Sequence, residues 1–276
     1  MSFAVRSATV RYADTLALDD VSVVVEPGSV VVVVGGDGAG KTTLLRALVG
    51  EVVLDSGTVD APPAAQIGYL TATAGSWPAL TVRQNMDFVG GIYGLSGEHL
   101  ERRREELLAR AGLTAAGDRL ASQLSGGMRR KLGFSMTLLH EPPLLVLDEP
   151  TTGVDPVSRV DLWRLVSDAA AAGAAVLMST TYLDEAERAR SLLVLDGGRA
   201  LAQGTLDEVR AALVGTITAD SVPHRSAWSW RRGRRHHEYW APGEQPPSSA
   251  LAIAPDLEDV VVALSLVRRA AVGARR

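Results

Sequence analysis

The chain has 276 residues, 46% hydrophobic and 22% charged, which suffices for one large α/β domain or one domain with an appendage. Its formal net charge of −4 argues against binding nucleic acid through bulk charge. The absence of cysteine excludes a disulfide framework, thiolate catalysis and cysteine metal sites, and it suits a reducing compartment. The chain starts without the apolar run of a signal peptide and has no stretch of about 18 apolar residues, so we expect no membrane span.

The amino-terminal half alternates short apolar or β-branched runs with glycine, proline and aspartate turns, and this pattern predicts strands. The predicted strands of this half span residues 3–10, 18–25, 30–34, 56–59 and 66–70. A helix is expected to begin at Lys41 and to end near Gly50, because glycine suits a left-handed helix cap. From Thr81 the periodicity changes to that of amphipathic helices. The predicted helices span residues 81–93, 98–111 and 124–139, and they indicate an inserted helical subdomain at about residues 81–140.

A sheet pattern returns after this subdomain. Leu144–Leu147 and residues 174–178 are continuous apolar runs, which are typical of parallel strands buried on both faces. An alanine-rich helix is predicted between them at residues 157–172. A hairpin signal at residues 196–198 and a helix at residues 205–213 follow. Because strands alternate with helices, we predict an α/β fold with a mostly parallel sheet and an antiparallel β edge.

A glycine-rich segment connects the valine strand at residues 30–34 to the helix at Lys41. Its sequence, GGDGAGKTT at residues 35–43, has the spacing G-x-x-x-x-G-K-T, and we call it the phosphate loop. Its glycines allow left-handed torsions that turn successive N–H groups toward a phosphate, and the helix adds its own free N–H groups. Lys41 can reach the β- and γ-phosphates, and the Thr42 hydroxyl is placed for Mg²⁺. The segment therefore predicts a P-loop NTPase core.

Two carboxylates follow the buried strand at Leu144–Leu147. Asp148 can hold the Mg²⁺ shell through water, and Glu149 can orient or polarise the attacking water. Acidic residues directly after an apolar strand are costly to place there without a role, so we expect both to be catalytic and not merely an acidic strand end. With the phosphate loop they predict an ATPase.

The third helix of the inserted subdomain begins with LSGGM at residues 124–128, and such a serine- and glycine-containing helix N-terminus can bind a phosphate. With this motif the chain resembles the ATP-binding subunits of ABC transporters, in their exporter branch. LSGGM resembles the signature motif, GGDGAGKTT the Walker A loop and LLVLDE the Walker B strand. GVDP at residues 153–156 resembles the D-loop, and Tyr12 lies where an aromatic side chain stacks on adenine. The order and spacing match over about residues 3–214.

This resemblance implies an ABC-type ATPase domain at residues 1–214 and a C-terminal extension at residues 215–276. It also implies a head-to-tail dimer around two ATP molecules, in which the signature helix of one subunit covers the ATP of the other. The expected nucleotide-binding residues are Tyr12, Gly35, Gly36, Asp37, Gly38, Ala39, Gly40, Lys41, Thr42 and Thr43. The residues expected to contact the partner's ATP, which we call the trans site, are Ser125, Gly126, Gly127, Met128 and Asp155.

Three positions depart from the family pattern. Ala72 replaces a glutamine that contacts Mg²⁺ and water, and Thr181 replaces a histidine that follows a later strand. Asp37 stands where asparagine is usual. Because one preorganised hydrogen-bond donor contributes on the order of 10²–10³ in rate at comparable sites, we expect intact ATP binding with slow hydrolysis.

The extension contains the arginine-aromatic segment SAWSWRRGRRHHEYW at residues 226–240. Its period-two aromatics fit a hairpin around Gly233, followed by a loop at residues 242–249 and a helix at residues 256–271. The aromatic side chains either pack against the protein core or stack on the bases of a nucleic acid. We regard nucleic acid as the less expected partner.

We expect an ATP-binding and ATP-hydrolysing subunit, dependent on Mg²⁺, that powers export through a membrane-spanning transporter subunit on a separate chain. The chain would be cytoplasmic and peripheral on the inner face of the plasma membrane, paired with a second ATPase subunit as a homodimer or heterodimer. One alternative is a degenerate ATP-binding module in a heterodimeric ABC transporter, with little hydrolysis of its own. Another is a soluble ABC-superfamily ATPase that acts on the ribosome or nucleic acid.

Overall fold

The computed structural model describes residues 2–73 and 75–273. The strands are β1 (Phe3–Tyr12), β2 (Thr15–Val25), β3 (Val30–Val34), β4 (Ser56–Asp60), β5 (Ile67–Leu70), β6 (Leu144–Leu147), β7 (Ala175–Thr180), β8 (Ser191–Asp196), β9 (Arg199–Gly204), β10 (Thr216–Asp220), β11 (Ser229–Arg232), β12 (Arg235–Trp240) and β13 (Leu251–Ile253). The α-helices are α1 (Lys41–Leu48), α2 (Val82–Ile92), α3 (Gly97–Arg110), α4 (Gly126–Thr137), α5 (Pro156–Ala171), α6 (Leu183–Ala186), α7 (Leu206–Ala211) and α8 (Leu257–Gly273). Within the described residues, every helix is too short or too polar to cross a lipid bilayer.

The largest sheet is mostly parallel and has the strand order β5-β6-β7-β3-β8-β9. Its neighbours are parallel except for β8 and β9, which form an antiparallel hairpin at one edge. This arrangement confirms the predicted mixed, mostly parallel sheet. Because β6 lies beside β7 and β7 beside β3, the carboxyl ends of these strands meet at one edge of the sheet. The phosphate loop after β3 therefore lies close to the carboxylates after β6.

The valines of β3 are buried on both faces of this sheet. Val31 and Val33 pack in one core with α1 and the strands of a second, antiparallel sheet of order β2-β1-β4. Val32 and Val34 pack in another core, on the side of α4 and α5. Since successive side chains of a strand point to opposite faces, an unbroken valine run is stable only where both faces are covered.

Helices α2, α3 and α4 lie between β5 and β6 in the chain and form the helical subdomain. A capping box starts α2, in which Thr81 Oγ1 accepts from Gln84 N–H and Gln84 accepts from Thr81 N–H. The buried Asn85 then fixes the preceding turn, because its Oδ1 accepts from Trp77 N–H at 2.7 Å and its Nδ2 donates to Thr81 O at 2.8 Å. The path from β5 into the subdomain is thus held by hydrogen bonds.

The residues after α7 form an antiparallel sheet of order β11-β12-β10-β13, followed by α8. Strands β11 and β12 turn at Gly233, whose φ of +59° glycine adopts readily. Tyr239 and Trp240 are buried, and the Arg225 guanidinium lies 3.7 Å from the centroid of the Trp240 ring. Protein covers these two rings, and this argues against the alternative in which they stack on bases.

Helix α8 returns from this sheet to the main core. Leu257 and Val260 pack in the core that also contains Val32 and Val34. Farther along, Arg268 donates to the Asp196 carboxylate at 3.0 Å and to the Gly197 carbonyl at 2.7 Å, both in the turn between β8 and β9. We propose a domain boundary near residue 214, with α8 fastening the extension to the ATPase domain.

Candidate ATP-binding and catalytic site

The phosphate loop passes so close to neighbouring backbone that two of its glycines admit no side chain. A Cβ added at Gly35 would lie 2.3 Å from Leu195 O, and one at Gly40 would lie 2.6 Å from Ala17 O. Gly40 also has φ of +104° and caps the start of α1 without any side-chain hydrogen bond. The first N–H groups of α1 therefore remain available to an anion, at the positive end of the helix dipole.

Lys41 is folded back into the loop. Its side chain is only 5% exposed, and Nζ donates to Gly35 O at 2.9 Å and to Gly36 O at 3.2 Å. Nζ also lies 3.3 Å from Glu149 Oε1. The ammonium is thus held at the centre of the loop by partners that a phosphate can replace.

Asp148 lies at the end of β6 with 1% exposure. Its Oδ1 accepts hydrogen bonds from Thr42 Oγ1 at 3.2 Å and from Ser179 Oγ at 2.7 Å. Ser179 Oγ in turn accepts from Glu149 N–H at 2.9 Å. Ser179 is a site residue that the sequence reasoning missed; its only signal was a polar residue within a buried strand.

These oxygen atoms fit a bound magnesium ion. Mg²⁺ prefers hard oxygen ligands and commonly keeps waters and phosphate oxygens beside one or two protein groups. Asp148 and Thr42 offer such oxygens, and their hydrogen-bond separation of 3.2 Å allows both to face one ion shell. No cluster of three or more His, Asp or Glu among the described residues could hold a metal alone, so the remaining ligands would have to come from nucleotide and water.

Glu149 has an unusual backbone for a residue with a side chain, with φ of +45°. Its Oε1 faces Lys41, and its Oε2 accepts from Thr152 Oγ1 at 3.0 Å. The carboxylate borders a pocket of about 450 Å³. Tyr12, Asp37, Gly38, Ala39, Gly40, Lys41, Thr42, Thr43 and Glu149 all line this pocket. The Tyr12 side chain is 48% exposed there, so its ring face is free to stack on a base.

The trans-site residues lie on a different surface. Ser125 caps α4 by accepting from Met128 N–H at 3.2 Å, and Asp155 caps α5 by accepting from Ser158 N–H at 3.0 Å. Hydrogen bonds from Ser158 lower the pKa of Asp155. A Cβ at Gly127 would lie 2.7 Å from Ser158 Oγ, so the two helix starts pack against each other. Gly126, Gly153 and Val154 line a second pocket of about 310 Å³, which is distinct from the one around Lys41.

Ala72 and Thr181, two of the three positions that we expect to depart from the family pattern, carry small side chains. Ala72 is exposed, and its contact with the site is through its backbone carbonyl, which accepts a hydrogen bond from Arg130 Nη1 at 2.9 Å. Thr181 is exposed at the first position after β7. The segment after Thr181 is held by the buried Glu185, whose Oε2 accepts from Thr180 Oγ1 at 2.9 Å and from Thr151 Oγ1 at 2.8 Å.

Comparison with known proteins agrees with this geometry. The family model described as ABC transporter matches residues 18–152. The chain is 38% identical over 221 residues to the probable multidrug ABC transporter ATP-binding protein YbhF of Escherichia coli (strain K12), covering 76% of this chain but only 38% of YbhF. It is 38% identical over 218 residues to the daunorubicin resistance ATP-binding protein DrrA3 of Streptomyces coeruleorubidus, covering 75% of this chain and 69% of DrrA3.

A solved structure shares the fold as well. The ATP binding subunit of an ABC transporter superposes with a TM-score of 0.70 at 31% identity, over 76% of this chain and 92% of that one. The residues matched by the family model include the phosphate loop, both carboxylates and the helical subdomain. About a quarter of this chain lies outside the structural match. The chain belongs to the ATP-binding proteins of ABC transporters.

Proposed function

We propose that this chain binds and hydrolyses ATP to power export through a separate membrane-spanning subunit. The observation that carries the proposal is the meeting of the phosphate loop with the two carboxylates. Lys41 Nζ lies 3.3 Å from Glu149 Oε1, and Thr42 Oγ1 lies 3.2 Å from Asp148 Oδ1. The names of the two relatives, a multidrug transporter protein and a daunorubicin resistance protein, support export as the process that is powered.

The side chains of the site suggest how phosphoryl transfer proceeds. The β- and γ-phosphates draw Lys41 from the carbonyls of Gly35 and Gly36 and from Glu149. Glu149 is thereby freed to accept a hydrogen bond from the attacking water and to orient it. Ser179 holds the Asp148 carboxylate in place, and Asp148 and the Thr42 hydroxyl are the groups that would hold the Mg²⁺ shell. Bound Mg²⁺ neutralises charge on the phosphates.

The test is turnover by the purified chain, compared with Glu149→Gln. Glutamine keeps the size of the side chain but cannot serve as a base, so we expect ATP binding to persist and turnover to stop. If the parent hydrolyses ATP no faster than Glu149→Gln, the chain is the degenerate ATP-binding module instead. The small side chains at Ala72 and Thr181 are the observation that favours this second candidate.

We infer that two ATPase subunits assemble head to tail, as a homodimer or a heterodimer. The separation of Ser125, Gly126, Gly127 and Asp155 from the pocket around Lys41 supports this assembly, because one chain alone leaves the γ-phosphate uncovered by them. In light scattering, ATP should promote dimers of Glu149→Gln, and ADP should not. Monomers under both conditions, even with the candidate partner ATPase present, would contradict this assembly.

The further partner that we propose is a membrane-spanning transporter subunit, which would place this chain on the inner face of the plasma membrane. The support is membership of a family whose ATPases work with membrane permeases. Coexpression with a membrane protein encoded beside this chain should shift the chain to the membrane fraction. A distribution unchanged by coexpression would exclude that candidate partner.

A further inference from the structure

Arg130 makes an unusual set of contacts for a buried cation. It lies on α4 with 4% exposure, and each of its side-chain N–H groups has a protein partner. Nε donates to Pro150 O at 2.8 Å. Nη1 donates to Thr71 O and to Ala72 O, both at 2.9 Å. Nη2 donates to Asp148 O at 2.8 Å and to Glu149 O at 2.7 Å.

These carbonyls belong to two separate segments of the site. Thr71 and Ala72 follow β5, whereas Asp148 and Glu149 follow β6. Arg130 lies on α4, the signature helix, about one helical turn after the Ser125 cap. Its single guanidinium therefore joins this helix to both segments. Burial lowers the pKa of Arg130, while the charges of Asp148 and Glu149 act in the opposite direction.

The contact to Nη2 bears on the strained residue of the site. Glu149 has φ of +45°, and such a conformation persists only where the surroundings impose it. The carbonyl that precedes the Glu149 nitrogen and the carbonyl of Glu149 itself both bind Nη2. A single planar group therefore fixes the peptide units on both sides of the Glu149 Cα, and with them the direction of the carboxylate.

We propose that Arg130 is a positioning residue that holds Glu149 in its catalytic direction and links the signature helix to it. Arg130 contacts the segment after β5 through the backbone carbonyls of Thr71 and Ala72. This contact therefore does not require a long side chain at position 72. The proposal rests on the proposed function, in which Glu149 acts on the attacking water. Lysine cannot replace the arginine, because a compact ammonium offers three donors from one point and cannot span both segments.

The test compares Arg130→Lys with Arg129→Lys. Arg129 directly precedes Arg130 on α4 and is exposed, so its substitution controls for the change from guanidinium to ammonium in this helix. We expect Arg130→Lys to lower kcat by about tenfold or more and to leave the Kd for MgATP within about threefold, since misplacement by about 1 Å can cost on the order of 10²-fold in rate. Arg129→Lys should resemble the parent in both values.

Two further measurements separate positioning from general destabilisation. Leu107→Ala removes a buried side chain from α3 of the same subdomain and serves as a variant of lowered Tm. The two variants are compared at conditions where they have lost the same amount of Tm. If kcat of Arg130→Lys is then no lower than kcat of Leu107→Ala, the proposal is overturned. Failure of both Arg130→Lys and Arg130→Gln to fold would also overturn it, because the residue would then be purely structural.

Hydrogen exchange without nucleotide tests the linkage even if the parent hydrolyses no ATP. Arg130→Lys should speed exchange of the backbone amides of Asp148, Glu149, Thr151 and Thr152 by about tenfold, and Arg129→Lys should not. Unchanged exchange there would overturn the proposal, whereas absent parent turnover with faster exchange would overturn only the proposed hydrolysis.

Discussion

Two aspartates of this protein are almost equally buried, Asp148 at 1% and Asp259 at 2% exposure, yet their surroundings differ. Asp148 Oδ1 accepts from the hydroxyls of Thr42 and Ser179, which can rotate toward another partner. It lies beside residues that line an open pocket of about 450 Å³.

Asp259 is enclosed by fixed partners at the start of α8. Its Oδ1 accepts from the His237 ring at 2.7 Å and from Trp230 Nε1 at 3.2 Å, and it lies 3.5 Å from Arg232 Nη1. Its Oδ2 accepts from Asp256 N–H at 3.3 Å. These donors point inward and tie the C-terminal sheet to α8. Burial of a carboxylate therefore does not identify a functional site; the freedom of its partners to be exchanged does.

The largest effect is expected near Asp148, whose hydrogen-bond partners can be exchanged, and it comes from Lys41→Ala. Removing the main phosphate cation should weaken MgATP binding on the order of 10³-fold, because truncating one member of a buried, hydrogen-bonded charge pair costs several kcal/mol. Arg46→Ala, on the exposed side of the same helix, should bind like the parent. Calorimetric titration measures both, and parent-like affinity of Lys41→Ala would show that the loop is not the phosphate site.

The next largest effect is expected on stability, at the enclosed carboxylate of Asp259. Asp259→Ala leaves the partly buried ring donors of Trp230 and His237 without their acceptor. It also removes one of the three carboxylates that surround Arg232, so the free energy of unfolding should fall by about 3 kcal/mol. Glu258→Ala, whose carboxylate is about half exposed and pairs with Arg232, should cost less than about 1 kcal/mol. Urea unfolding measures both changes. Equal losses for the two variants, or a loss of MgATP affinity in folded Asp259→Ala, would remove the distinction between the two aspartates.

A smaller effect, and a gain, is expected from Thr181→His. Imidazole reaches farther than a threonine hydroxyl and can carry charge, so kcat should rise by about three- to tenfold with unchanged affinity. Adding Ala72→Gln should raise it further, because both groups would act on the same water. Thr181→Gln controls for reach without charge. Fast turnover by the parent, unchanged or slowed by Thr181→His in single-turnover experiments, would mean that another residue already acts on the attacking water in place of the histidine.

The smallest effect is expected where the C-terminal extension lies beside the pocket around Lys41. Arg268 holds the turn whose Gly198 N–H donates to Ala39 O of the phosphate loop at 2.9 Å. Arg268→Gln should weaken nucleotide binding by about threefold, in the range of a partly exposed ion pair. Arg269→Gln, at an exposed neighbouring position, should not. Identical affinities for the two variants would confine the extension to a structural role.

Much of the fold could be predicted because its signals are local. The valine run before the phosphate loop and the apolar run before Asp148 each encode a strand buried on both faces, and the glycine spacing encodes the loop between strand and helix. The sequence also predicted the turn at Gly233, since glycine stands between two runs of alternating aromatics.

By itself, then, the sequence determined the glycine loop, the buried strands and the helix starts, because these features depend on neighbouring residues. From them it predicted which segments would carry phosphate and metal chemistry. Only the tertiary structure decided that Ser179 meets Asp148, that Arg130 joins Ala72 to Glu149, and that α8 returns to the turn at Gly197. These contacts join residues far apart in the chain, and they follow from the strand order β6-β7-β3 and the path of α8. No local pattern encodes that order, because it is set by how whole faces of the sheets and helices cover one another.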